Sequence, residues 1–148
     1  MLTWTCQPFD ALTVTQLYSI LQLRNAVFVV EQNCPYQDAD DKDPHCLHLC
    51  GWQDQHLVAY ARLVPKGISY NTHISIGRVV TCQAVRGTGA GKALIQQAIQ
   101  HCYAAYGQQA IKISAQLYLQ RFYTSFGFEQ VTPVYLEDNI EHIGMIKA

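Results

Sequence analysis

The sequence predicts one α/β domain, residues 1–148, with a mixed β-sheet flanked by helices. Three observations carry that prediction. Two segments, 13–32 and 92–106, repeat apolar residues with helical spacing, and shorter runs elsewhere alternate with period two. A glycine-rich turn, 86–91, joins a strand-like run directly to the second helical segment. No internal repeat, linker or low-complexity stretch divides the chain.

The elements follow in order. Leu2, Trp4 and Cys6 alternate with polar residues, as a short strand requires. Thr13 with Gln16 three residues later is a capping box, and Leu12 and Leu17 stand at the positions of a hydrophobic staple. The helix they open carries Leu17, Ile20, Leu21, Val27 and Phe28 on one stripe and should end near Glu31-Gln32. Residues 33–45 read as a polar, acidic loop. Runs 46–53 and 56–65 around Asp54-Gln55 predict a hairpin, and 74–81 is a third strand. After the glycine turn, Leu94, Ile95, Ala98, Ile99, Cys102 and Ala105 mark an amphipathic helix stopped by Gly107. A strand at 110–115, a short helix at 117–126 closed by Gly127, and two strands near 128–136 and 142–147 complete the order β-α-β-β-β-α-β-α-β-β.

Charge and cysteine content narrow the function classes. The formal net charge is −1 and only 14% of residues are charged, which argues against nucleic acid and against a membrane surface as partners. The charges are nevertheless segregated. Glu31, Asp38, Asp40, Asp41 and Asp43 cluster against one base, Lys42, whereas no acid occurs from Gln55 to Phe128. That second stretch carries Arg62, Lys66, Arg78, Arg86, Lys92, Lys112 and Arg121, enough to hold a polyanion. The acidic loop reads as a solvated turn or as a collar for a cationic substrate. Six cysteines without a secretory leader suggest free thiols in a reducing, cytoplasmic setting. Cys46, His48 and Cys50 lack the spacing of a zinc site, the acids at 38–43 lack the pattern of a calcium loop, and no metal is expected.

Arg86-Gly87-Thr88-Gly89-Ala90-Gly91-Lys92 is the segment with the clearest chemistry. Glycines let the chain turn tightly against an anion, and a helix N-terminus adds unpaired N–H donors. Gly87 to Gly91 is one residue too short for a Walker A loop, and Ala93 stands where that loop needs Ser or Thr. The dinucleotide pattern G-x-G-x-x-G also fails, with no acid near twenty residues on to hold a ribose.

Arg86-x-x-Gly89-x-Gly91 resembles the R/Q-x-x-G-x-G/A signature of the GNAT superfamily of acyl-CoA N-acyltransferases, and it follows Ile76-Gly77-Arg78-Val79-Val80 as a strand would. Ser114-Ala115-Gln116 and Arg121-Phe122-Tyr123-Thr124-Ser125-Phe126-Gly127-Phe128 resemble that family's later F-Y-x-x-x-G-F element. The segments 27–36 and 137–145 are similar to its ElaA-like branch. The resemblance implies a sheet splayed between the strands near 76–81 and 110–116. It also implies N-acetyl transfer from acetyl-CoA to a primary amine, small or peptidic, by direct transfer in a ternary complex; the five acids within 31–43 add the expectation that this amine is cationic. Val79, Val80 and Thr81 would pair with the pantetheine arm, and Arg86, Gly87, Thr88, Gly89, Ala90, Gly91 and Lys92 would hold the pyrophosphate. Gln116 joins that cofactor set. Tyr123 would be the general acid toward the leaving thiolate, the alternative being packing with Phe122 and Phe126. The base is open among Glu31, His48 and His142, with Asp138 or a water chain beside them, because strand 74–81 holds no carboxylate. Cys82 lies near the thioester path, yet no histidine pairs with it in the pattern. A homodimer is compatible with this reading. The rival class is a non-catalytic acyl-CoA-binding or sensing module.

Overall fold

The structure, a computed structural model, describes residues 1–148. Strand β1 (Thr3–Pro8) leads to helix α1 (Val14–Arg24), then β2 (Leu47–Gln53), β3 (His56–Val64) and β4 (Ser75–Thr81). Helix α2 (Ala90–Tyr106), β5 (Ile111–Gln116), α3 (Gln120–Thr124), β6 (Phe128–Gln130), β7 (Tyr135–Glu137) and β8 (Ile140–Lys147) follow. The α/β class and the order expected through α3 hold. The last segment differs: three strands replace two. Pro133 has no N–H for a ladder, and Thr132 instead accepts a bond from Gly144 N–H at 2.7 Å, so β6 and β7 pair with β8 separately.

Local chemistry explains most of these elements. In the capping box, Gln16 N–H donates to Thr13 Oγ1 (3.1 Å) and Thr13 N–H donates to Gln16 Oε1 (2.9 Å). The β2–β3 hairpin turns through Asp54 and Gln55, both at positive φ, as a tight turn between twisted strands demands. Gly51 on β2 admits the Trp4 ring, since a β-carbon there would lie 2.7 Å from it. Beyond Arg24 the helix widens into a π-helical stretch, Asn25–Glu31, whose bonds include Gln32 N–H to Val27 O and Cys34 N–H to Val29 O, both 3.0 Å.

Two antiparallel sheets result, β1-β2-β3-β4 and β5-β8 with β6 and β7 beside β8. They meet only where β4 begins. Ile74 forms a single parallel bridge with Ile111, and Lys112 N–H donates to Ile74 O at 3.0 Å. From that apex β4 and β5 diverge. The main core, including Leu49, Leu63, Leu94, Ile95, Ile111, Ile143 and Met145, packs α2 against both sheets and closes the apex. A second cluster, Ile20, Leu23, Val27, Cys50, Tyr60 and Val80, seats α1 on the other face. No helix is long and apolar enough to cross a membrane.

Candidate active site

The diverging strands leave a cleft of about 610 Å³. One wall is β4, with Val79, Val80 and Thr81; the other is β5, with Ser114 and Gln116. The floor is α3, with Phe122 and Tyr123, and the mouth is formed by Arg86, Gly87, Gly89, Gly91 and Lys92 at the start of α2. Phe28 and Glu31 from the π-helical stretch, and Glu137, Asp138 and His142 from the β7–β8 hairpin, complete the lining. Nine residues expected at a cofactor therefore line one cavity. Thr88 and Ala90 do not; they face a smaller groove behind the turn, and Thr88 Oγ1 donates to Val85 O.

Two features of β4 and α2 make the cleft receptive. Between Tyr60↔Val80 and Arg62↔Gly77 the β3–β4 register opposes Arg78 and Val79 to a single residue, so β4 bulges, and Arg78 adopts φ +48°. At the mouth Gly89 caps α2 at φ +88°, a backbone that side chains disfavour. The Ala93 N–H bonds Gly89 O (3.0 Å), so the N–H groups ahead of it at the N-terminus of α2 have no acceptor in the helix. These donors, with the helix dipole, suit a phosphate.

The acidic loop is neither a solvated turn nor a collar. Arg24 at the end of α1, fully buried, donates from Nε to Asp38 Oδ2 (2.7 Å) and from Nη1 to Asp43 Oδ1 (2.8 Å). Arg62 on β3 donates to the same Asp43 oxygen (3.0 Å) and, through both terminal nitrogens, to Asp40 (2.8 and 2.6 Å). Arg78 donates to Asp40 Oδ2 (3.3 Å), and its Nε lies 2.9 Å from Asp38 Oδ1. Three arginines and three aspartates thus alternate in a closed ring that pins residues 38–43 to α1, β3 and β4. The neighbouring guanidinium groups of Arg24 and Arg62 hold the Asp43 carboxyl below the usual carboxylate range, against the opposing effect of burial. Of the basic residues expected to face a polyanion, Arg62 and Arg78 are spent in the ring. Arg86 is also engaged: it grips Glu31 with two bonds (2.6 and 3.1 Å) and donates to Thr81 O (3.0 Å). Lys92 is the basic residue of the mouth without an ion pair.

The structure separates the candidate bases. His48 lies outside the cleft, 1% exposed; its Nε2–H donates to Asp43 O (2.9 Å) and its Nδ1 accepts from Tyr60 O–H (2.7 Å). Both nitrogens are used, and burial lowers its pKa, so it is a neutral core histidine. Glu31 lines the cleft but is held by Arg86. His142 lines it too, with Nδ1–H bonded to Ile140 O (2.7 Å) and Nε2 facing Glu137 Oε2 at 3.6 Å. Asp138 sits in the β7–β8 turn at φ +50°, its carbonyl accepting from Cys34 S–H (3.2 Å). Glu137 was not singled out by the sequence. Its signal was the Asp138-Asn139 hairpin turn, which pairs Glu137 with Ile140 and Tyr135 with His142, so that Glu137 and His142 are diagonal neighbours on paired strands.

Tyr123 is 6% exposed in the cleft floor, packed edge-on against Phe122 and Phe128, and its hydroxyl has no hydrogen-bond partner in the protein. Burial raises its pKa well above the usual phenol value, so it stays protonated at neutral pH. Cys82 is half-buried beside the Val58, Val85 and Ala90 cluster and pairs with no base. No group of three His, Cys, Asp or Glu side chains is placed to hold a metal ion.

Comparison with known proteins follows the same outline. Residues 15–148 match the model of the acetyltransferase (GNAT) domain family. The chain is 44% identical to the protein ElaA of Escherichia coli strain K12 over 99% of its own length and 97% of that protein. A crystal structure of an acyl-CoA N-acyltransferase from Pseudomonas aeruginosa superposes with a TM-score of 0.95 at 45% identity, and Escherichia coli ElaA with 0.94 at 43%, each covering both chains completely.

Proposed function

Because the chain belongs to the GNAT acetyltransferase family, we propose that it transfers an acetyl group from acetyl-CoA directly to a primary amine while both are bound. The observation that carries this reading is the cleft between β4 and β5, opened from the Ile74–Ile111 apex and capped by the glycine turn of α2. The residues present fit acyl-CoA. The inner edge of β4 offers backbone groups of Val79 and Thr81 to the amides of a pantetheine arm, whereas those of Val80 face Tyr60 on β3. Gly89 and Gly91 allow a pyrophosphate close to the first N–H groups of α2, with Lys92 as a point charge.

Acyl transfer requires the sulfur to leave as a thiolate, and a thiolate leaves more readily when a proton reaches it. Tyr123 sits in the floor with its proton retained and its hydroxyl uncommitted. In this reading it gives that proton to sulfur as the C–S bond breaks. Arg86 acts as a brace: by gripping Glu31 and the Thr81 carbonyl it ties the π-helical stretch to the turn that receives the phosphates. Release of free thiol from acetyl-CoA across a panel of amines and lysine peptides, with mass detection of the acetylated product, tests the proposal. Tight acetyl-CoA binding without product on any acceptor would instead make the chain an acyl-CoA-binding or sensing module.

A further inference from the structure

Building on the acyl-transfer reading, we infer that Glu137 and His142 form a two-acceptor seat for the acceptor's ammonium group, Glu137 holding its charge and Nε2 of His142 taking its proton. Both line the same cleft as the glycine turn, and no hydrogen bond or ion pair joins them to that turn.

The geometry begins with the imidazole. A carbonyl oxygen can only accept, so the 2.7 Å bond from Nδ1 to Ile140 O places the ring's hydrogen on Nδ1. In the neutral ring Nε2 then carries the lone pair. The His142 side chain is only 8% exposed and is stacked on Tyr135, so the ring cannot swing away to water. Facing it at 3.6 Å is Glu137 Oε2, a second acceptor. The Ser114 hydroxyl donates to the other oxygen, Oε1, at 3.3 Å and so orients the carboxylate. Two acceptors that oppose each other beyond hydrogen-bond distance are satisfied by a donor between them. An ammonium nitrogen about 2.8 Å from each spans that gap with two of its three hydrogens.

The chemistry then balances. The ammonium gives one proton to Nε2, and the freed lone pair forms the C–N bond with the thioester carbon as the C–S bond breaks. Of its three protons one stays on the amide, one replaces the proton that Tyr123 gives to sulfur, and one leaves through His142 to solvent. The class of acceptor follows from the neighbours. Glu137, Asp138 and Tyr135 stand on the hairpin side of the seat, and Arg78 and Tyr36 also line the cleft, with Arg78 committed to Asp38 and Asp40. A carboxylate next to the amine would meet two acids and no free cation. The seat therefore selects an alkyl ammonium without an adjacent carboxylate, such as a diamine end or a lysine side chain, over the α-amino group of a free amino acid.

The test uses the full chain with acetyl-CoA and 1,4-diaminobutane, a lysine-containing peptide and glycine, from pH 6 to 10. Glu137→Gln should raise the diamine KM at least tenfold with kcat within threefold. His142→Gln should lower kcat about 100-fold at pH 7, and its rate should climb toward the amine's own ionisation more steeply than that of the wild type. Acetyl-CoA affinity should be unchanged in both, and glycine should be a poor acceptor. Unchanged amine kinetics and pH profile in the two variants overturn the seat. Glu137 is half-exposed, so its variant decides even if His142→Gln does not fold. If the wild type acetylates nothing, calorimetric binding of diaminobutane separates the two ideas: Glu137-dependent binding keeps the seat and rejects transfer, and binding that ignores Glu137→Gln rejects the seat.

Discussion

Replacing Asp43 by Asn should destabilise the fold by about 3–5 kcal/mol, because it leaves an uncompensated charge among buried groups. Asp43 Oδ1 is shared by Arg24 Nη1 at 2.8 Å and Arg62 Nη1 at 3.0 Å, and the side chains of all three are at most 10% exposed. An asparagine oxygen can keep a hydrogen bond, but three guanidinium groups would then face two carboxylates. A single domain of this size is stable by about 5–15 kcal/mol in total, so the loss is a large share of it. Each kcal/mol shifts the midpoint of such a chain by roughly 2–4 °C, which gives a fall in Tm of about 6–20 °C. Thermal unfolding followed by circular dichroism at pH 7 reads it. The pH dependence gives a second check. The folded-state pKa of Asp43 is depressed, so its stabilisation is present above the unfolded carboxylate pKa of about 4 and is lost as pH falls through the lower folded value. The gap between wild type and variant should hold from pH 7 to 5 and narrow below about 4. A loss under 1 kcal/mol at pH 7, or a gap independent of pH, would refute the closed ring as a stabilising unit.

Gly89→Val should fold, since a β-carbon there meets nothing within 4 Å, with a backbone penalty of about 1–2 kcal/mol at φ +88°. It should abolish the thermal stabilisation that acetyl-CoA gives the wild type. Tyr123→Phe should lower kcat about 100-fold or more while acetyl-CoA affinity stays within threefold, measured by steady-state kinetics and calorimetry. Asp40→Asn should destabilise through Arg62 and Arg78, whereas Asp41→Asn, an exposed side chain outside the ring, should change neither stability nor amine KM.

What could be read without coordinates was what local hydrogen bonding decides. Thr13 and Gln16 announce a helix start because their partners lie three residues apart, and Asp54-Gln55 announces a hairpin because two left-handed residues suffice to make one. The glycine turn was legible for the same reason. The ring was not. Its bonds join residues 14 to 40 apart, and a run of acids carries no sign of which arginines will come to meet it. His48 and His142 look alike in sequence, each a histidine in an apolar strand. They part only in the fold, where one finds acceptor and donor on both sides and the other turns Nε2 to the Glu137 carboxylate in the cleft.

The bulge at Arg78 and Val79 has a consequence for solubility as well as for binding. Past the Ile74 bridge, β4 and β5 each present an edge to the cleft, and unpaired strand edges invite a strand from another molecule. A bulge and an inward-facing charge are the devices that spoil such an edge, and Arg78 supplies both at one position. The same interruption leaves room for a slender ligand with a few amide groups and denies it to a flat strand. A substitution such as Arg78→Val removes the charge and leaves the bulge as the edge's remaining protection.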